Sequence, residues 1–290
     1  MHRRRRTRGA DLRDTLKGRH FRLEDPLIRR YPPLRRSGPD VGRLALTTGR
    51  EVALIAVLYL VYRMGRMLVV GQEGTARANA AVVHRAQAWL HLPSEALIQA
   101  NFGSETLYRF ANTYYVSLHF PIMIAFLVLG YLVRPRPEYQ WARNLIAVQT
   151  GLALIIHIVF PLAPPRMFPR WGFVDSMTVY GPSAYDGVSA SVANQFAAMP
   201  SLHVGWAVLI AYVVVRTGPR WLAIPAVLHA LVTIAVVIVT ANHWWLDGVV
   251  AIILFGLALA IFPRPGSNRR GPAGAPVLPR LRYSPTAAPG

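Results

Sequence analysis

A histidine and an aspartate stand four residues apart in the segment Asn242-His243-Trp244-Trp245-Leu246-Asp247. On a helix, residues at this spacing share one face and lie one turn apart. There a carboxylate accepts a hydrogen bond from one imidazole nitrogen and leaves the other as a nucleophile. A metal pair, or a hydrogen-bonded helix start, would use the same spacing. In Met199-Pro200-Ser201-Leu202-His203 the proline suits the first turn of a helix, where its missing N–H has no partner to lose. Ser201 and His203 then stand near amides and a helix dipole that favour an anion; a serine cap and an interfacial histidine would read the same way. Pro161-Leu162-Ala163-Pro164-Pro165-Arg166 ends in a guanidinium, whose parallel donors match phosphate oxygens. A headgroup-binding arginine is the plainer reading, and for Arg170 it is the better one. Together the three segments gather two histidines, a carboxylate, a serine and an arginine, groups that are costly to bury near a bilayer unless they serve a purpose.

The elements that carry them are apolar. The chain is 53% hydrophobic and 16% charged over 290 residues, yet formally +19. A soluble domain carries about 25% charged residues. Membrane spans with arginines at their ends account for both facts. A nucleic-acid binder could be as basic but would not need repeated apolar stretches of span length. Six spans are expected, at 51–70, 107–133, 141–162, 201–215, 221–240 and 246–262, as an all-α membrane bundle. With both termini cytoplasmic, inner segments hold Arg134, Arg136, Arg143, Arg216, Arg220, Arg264, Arg269 and Arg270, and outer ones only Arg77, Arg85, Arg166 and Arg170. This follows the positive-inside rule and puts all three chemical segments on the extracytoplasmic side.

The membrane domain is expected over 49–262. Residues 1–48 are rich in arginine and interrupted by prolines, and 263–290 are rich in Pro, Gly and Arg, so both are expected to be disordered cytoplasmic tails. The arginine-rich start has no apolar run behind it and is not expected to be cleaved. A single lysine, Lys17, among 32 basic residues fits a GC-rich bacterial genome and a plasma-membrane setting. Residues 76–92 carry Ala80, Val83, Ala86 and Leu90 near helical spacing, with Arg77, His84 and Gln87 on other faces, which predicts an amphipathic surface helix. The loop 167–198 is long enough for a lid, and its Tyr180, Tyr185, Asn194 and Gln195 could read a polar headgroup. Trp171, Trp244 and Trp245 are expected at the membrane interface. The chain has no cysteine, which removes thiolate metal sites and thiol nucleophiles. Asp175, Asp186 and Asp247 are too scattered for a magnesium site, and no metal or cofactor is expected. The in-span His119, His157 and His229 read as structural; a haem would need two of them at matched depth.

Pro200-Ser201-Leu202-His203 resembles the PSGH motif of the type 2 phosphatidic acid phosphatase superfamily, and His243 through Asp247 resembles its HxxxD motif. The resemblance covers roughly residues 50–262. It implies six spans, His243 as the nucleophile that becomes a phosphohistidine, Asp247 as its orienting partner and His203 as general acid and base. Arg166 and Ser201 would hold the phosphoryl oxygens. Two features depart from the family. Val159 stands where the first motif usually has lysine, and Val236 and Val237 where the third usually opens with Ser-Arg. The Ala163-Pro164-Pro165 run and Leu202 are closer in style to the inositol phosphorylceramide synthase branch. The expectation is a membrane enzyme that takes a lipid phosphate and either hydrolyses it or moves a phospho-headgroup to an alcohol such as inositol, another polyol or a lipid hydroxyl. A non-catalytic lipid-binding or transport protein on the same fold is the alternative, and nucleic acid is not expected as a partner.

Overall fold

The computed structural model describes residues 41–67, 71–183 and 195–265. The chain divides into two units, 1–53 and 54–290. Of the first, the described part is helical, residues 41–53; the second holds the site. The expected tails, 1–48 and 263–290, lie almost wholly outside the described residues.

Among the described residues ten α-helices follow in chain order: α1 Val41–Met67, α2 Glu73–Trp89, α3 Glu95–Ala100, α4 Glu105–Ser117, α5 His119–Val133, α6 Arg136–Val159, α7 Ser176–Tyr180, α8 Leu202–Thr217, α9 Ala223–Val239 and α10 Trp245–Ile261. Among the described residues the one trace of β pairing is a parallel bridge between Leu162 and Ala197. Four helical stretches of the described residues are long and apolar enough to cross a membrane: Leu44–Gly65, Glu105–Val133, Arg136–Val159 and Arg220–Val239. The fourth and sixth expected spans form helices of 16 and 17 residues, apolar but shorter than the roughly 20 residues that hydrocarbon of full thickness asks for.

The second expected span is broken. Helix α4 stops at Ser117 and α5 starts at His119, with Leu118 between them at φ −104°. Pro121 explains the break: it has no N–H for the carbonyl of Ser117, and its ring clashes with that carbonyl. Hydropathy alone does not register this, because the run stays apolar through the break. One consequence is that His119 opens a new helix. The third span also starts earlier than expected, at Arg136, because Pro137 and Glu138 suit a first helical turn even though they are polar or N–H-free.

Helices α6, α8 and α10 cross closely. A Cβ on Gly205 of α8 would lie 2.6 Å from the Gln149 amide of α6 and 3.4 Å from Ala251 of α10. Gln149 in turn donates to the Ala251 carbonyl at 3.0 Å. Bare backbone at Gly205 therefore lets a buried polar bridge tie the three helices. At the end of the bundle that holds the site, Ala76, Ala80 and Val83 of α2 pack with Leu162, Phe168, Met199 and Trp244. Helix α2 is amphipathic as expected, but its buried face differs: Gln87 is inside and Leu90 is exposed. Gln87 is buried because it is used. Its amide donates to Glu95 at 2.6 Å, and its carbonyl accepts from the Leu246 N–H at 3.1 Å.

Candidate active site

The start of α10 is held by three acceptors. Glu95 accepts the Trp245 N–H at 3.1 Å, Gln87 accepts that of Leu246, and Asp247 reaches back to the Trp244 N–H at 2.8 Å. The orphan amides of this helix terminus are thus satisfied by buried side chains. The contact of Asp247 with Trp244 is the acidic half of a capping box. Burial pushes the Glu95 carboxyl above its ordinary value near 4.5, against its hydrogen bonds, and the nearby Asp247 charge adds to the rise. Trp244 departs from expectation. It is fully buried, donates to the Ala163 carbonyl at 3.0 Å and packs edge-on to Phe173, so it belongs to the core rather than to an interface.

His243 stands just before this cap rather than within the helix. Its Nδ1 lies 2.9 Å from the Ala198 carbonyl oxygen and 3.2 Å from Asp247 Oδ2. A carbonyl only accepts, so Nδ1 carries the proton and the Nε2 lone pair is left for chemistry. Asp247 is fully buried, and its Oδ1 has no hydrogen-bond partner among the described residues. Its backbone carbonyl accepts the Ser201 N–H at 3.0 Å, which ties the two motifs together. Ser201 is itself fully buried and caps α8, its hydroxyl accepting the Val204 N–H at 3.3 Å. That cap places His203 in the first turn, with its ring centroid 5.7 Å from that of His243.

Arg166 arrives from a 3₁₀ turn, Pro165–Met167, whose prolines stiffen it. Its backbone N–H donates to the Ala241 carbonyl at 2.8 Å. Ala241 holds a left-handed φ of +50°, a conformation that costs a non-glycine residue about 1 kcal/mol or more and here turns the chain into the HxxxD segment. Arg166 is 93% buried, and its guanidinium is spread over three partners. Nε donates to Asn242 at 3.2 Å, one Nη to Asp175 at 3.0 Å and the other to Gln195 at 2.9 Å. Asp175 also caps α7 through the Met177 and Thr178 N–H groups. Arg166 is therefore aimed by a carboxylate and two amides before any ligand arrives.

A cavity of about 90 Å³ is lined by His203, His243, Asn242 and Gln195 on its polar side, with Tyr62, Tyr115, His119, His157 and Trp206 around them. Tyr115 stacks on His203 at 4.2 Å, and His119 lies 4.4 Å from it. His119 is 1% exposed, and neither of its ring nitrogens has a hydrogen-bond partner among the described residues. His157 reaches the Pro200 carbonyl at 3.2 Å, and His229 bonds the Tyr114 hydroxyl at 2.6 Å. Of the four candidate headgroup residues, Gln195 lines the cavity. Tyr180 stacks on Tyr108 at 4.9 Å and is not part of the lining, and Tyr185 and Asn194 lie outside the described residues. Asn242 and Asp175 were not singled out as site residues from sequence, though Asn242 adjoins His243. Nor were Tyr115 and His119, for which the sequence offers no local signal: only the break at Pro121 and the packing of α8 bring them to His203.

A family model described as the PAP2 superfamily matches residues 81–261, well over half of the chain. The chain belongs to the PAP2 superfamily. The match runs from α2 to the end of α10 and includes every residue of the cavity except Tyr62. No curated protein and no solved structure matches the chain. Membership of the PAP2 superfamily and four membrane-length helices support a phosphatase-type function on lipids.

Proposed function

We propose that this PAP2-superfamily protein is a membrane enzyme that transfers a phosphoryl or phospho-headgroup from a lipid through a phosphohistidine on His243. The observation that carries this reading is the pair of acceptors on His243 Nδ1, the Ala198 carbonyl and Asp247. They fix the tautomer in which Nε2 attacks. In the first step Nε2 forms a bond to phosphorus while the bond to the lipid oxygen breaks, and His203 gives that oxygen its proton. In the second, His203 takes a proton from water or an alcohol, whose oxygen bonds to phosphorus as the P–N bond breaks. His243 returns neutral and the protons balance. Asp247 stabilises the imidazolium character that develops on His243.

Arg166, aimed by Asp175, Asn242 and Gln195, would draw the equatorial phosphoryl oxygens, and Ser201 shapes the helix start that faces them. Positioning and charge are most of what phosphoryl transfer needs from a protein. The absence of the usual lysine and second arginine at Val159, Val236 and Val237 leaves this guanidinium a larger share of that work. The Ala163-Pro164-Pro165 run and Leu202 resemble the inositol phosphorylceramide synthase branch in style, and on that resemblance we favour an alcohol acceptor. We also read α8 and α10 as the fourth and sixth of six spans, with both termini cytoplasmic and the cavity on the extracytoplasmic face of a bacterial plasma membrane.

Mass spectrometry of lipids after incubating purified protein with a panel of lipid phosphates and phospholipids, with and without polyols, tests the reading. Loss of a headgroup with release of phosphate supports hydrolysis, and a new polyol-bearing lipid supports transfer. No change in any donor would leave a lipid-binding protein as the better account.

A further inference from the structure

Below the catalytic cavity lies a second and larger one, of about 290 Å³, enclosed by α1, α5, α6 and α8. The two share Tyr62, Phe120 and Trp206 as walls. Their chemistry is opposite. The upper one carries four histidines and two amides, while the lower is bounded by side chains such as Leu58, Met123, Leu127 and Leu154. The lower cavity has a definite length. Its lining on α6 runs from Leu154 to Arg143, eleven residues and so about 16 Å of helix. That is close to half of a hydrocarbon core of about 30 Å, the depth of one leaflet. At the top, α1 and α6 meet closely, since a Cβ on Gly65 would fall 2.7 Å from Leu154. At the bottom stands Arg143, its guanidinium on the Asn144 side chain at 2.8 Å.

We propose that this groove holds one apolar chain of the lipid whose phosphate reacts at His243, and that Gly151 and Ala147 of α6 are its specificity-determining residues. The proposal rests on the reading of the upper cavity as a phosphoryl-transfer site. Continuity through Tyr62, Phe120 and Trp206 selects this occupant: a molecule with a polar phosphate and an apolar tail fills both cavities at once. Trp206 is fixed at the junction, its indole N–H donating to Thr150 at 3.0 Å, so the passage between the cavities keeps its shape. Gly151 lies on the groove wall, and a Cβ built on it meets nothing within 4 Å. That space is left open by a residue with low helix propensity in the interior of a 24-residue helix, where alanine would serve the helix better. Ala147 lies one turn earlier on the same wall. A charged residue closing the far end means that a chain longer than one leaflet must bend out toward the bilayer.

The test compares two substrates and three proteins in the full-length, detergent-purified form. Gly151→Leu fills the groove without touching the upper cavity, and Gly151→Ala controls for the helix. Against a long-chain lipid phosphate, kcat/KM should fall about tenfold or more in Gly151→Leu and stay near parent in Gly151→Ala. Against the water-soluble p-nitrophenyl phosphate all three proteins should agree. Equal rates for Gly151→Leu and parent on the long-chain substrate would overturn the proposal. A long-chain alkyl phosphate carrying a diazirine near its tail supplies a readout independent of turnover. Photolabelling should modify Leu127, Ile146 or Leu58 in the parent and lose those sites in Gly151→Leu. Labels confined to outward-facing residues such as Val128 and Ile155 would also overturn it. A parent that binds the photoprobe in the groove yet turns over neither phosphate would contradict the phosphoryl-transfer reading and leave the groove standing.

Discussion

His243 makes its hydrogen bonds through one nitrogen, and this shapes what its partners are worth. With the Ala198 carbonyl at 2.9 Å and Asp247 at 3.2 Å on the same Nδ1, removing the carboxylate does not free the ring to adopt the wrong tautomer. Asp247→Asn should therefore lower kcat by about 10–100-fold, the usual effect of an outer-shell partner, rather than abolish it. Steady-state rates in a variant of unchanged thermal stability measure this; a rate as low as that of His243→Ala would mean that the carbonyl contributes nothing. Arg166 offers the second residue-level prediction. Its fork is divided among Asp175, Gln195 and Asn242, a geometry that the point charge of lysine cannot reproduce. Arg166→Lys should be nearly as damaging as Arg166→Ala, each costing about 10²–10³ in rate. Orthovanadate, a mimic of the pentacoordinate phosphoryl group, should inhibit the parent and lose potency in both variants. Near-parent turnover and vanadate sensitivity in Arg166→Ala would assign phosphate recognition to another cation.

At the scale of elements, the buried acceptors at the start of α10 link the site to stability. The Glu95 carboxyl is raised above its ordinary value, so the folded protein binds its proton more tightly than the unfolded chain does. Its contribution to stability is complete below the unfolded value and is lost as pH rises through the folded one. The melting temperature should accordingly decline across the mildly acidic range, and Glu95→Gln, which keeps an acceptor for Trp245, should flatten that decline. An unchanged pH profile in Glu95→Gln would show that another group sets it. Most of the elements were legible in the sequence, because apolar runs of span length leave few alternatives. The break at Leu118 was legible only through Pro121, a local steric effect inside an unbroken apolar run. The burial of Gln87 is not legible in the periodicity of α2, because a buried glutamine needs partners, Glu95 and Leu246, that no local pattern announces. Within the site, the spacing of His243 and Asp247 and the proline before Ser201 carried information. The roles of Asp175, Asn242 and Ala198 did not show, since each depends on where distant segments meet.

For the whole molecule, the arginine distribution makes a claim about sidedness that the cysteine-free chain allows to be tested cleanly. A single cysteine at Ser183, near the end of α7 on the loop side of the site, should react with an impermeant maleimide in intact cells. Labelling only after lysis would invert the orientation and put the cavity on the cytoplasmic side.

The central claim is that phosphorus becomes bonded to His243. Purified protein incubated with a ³²P-labelled lipid phosphate and quenched in alkali, where phosphohistidine survives, tests it most directly. The parent should retain label on the peptide containing residue 243, and acid should release it. His243→Ala should retain none, while Asp247→Asn should retain label that forms more slowly. A fully active parent that never carries label on that peptide, or a correctly folded His243→Ala protein with parent-level turnover, would contradict the account.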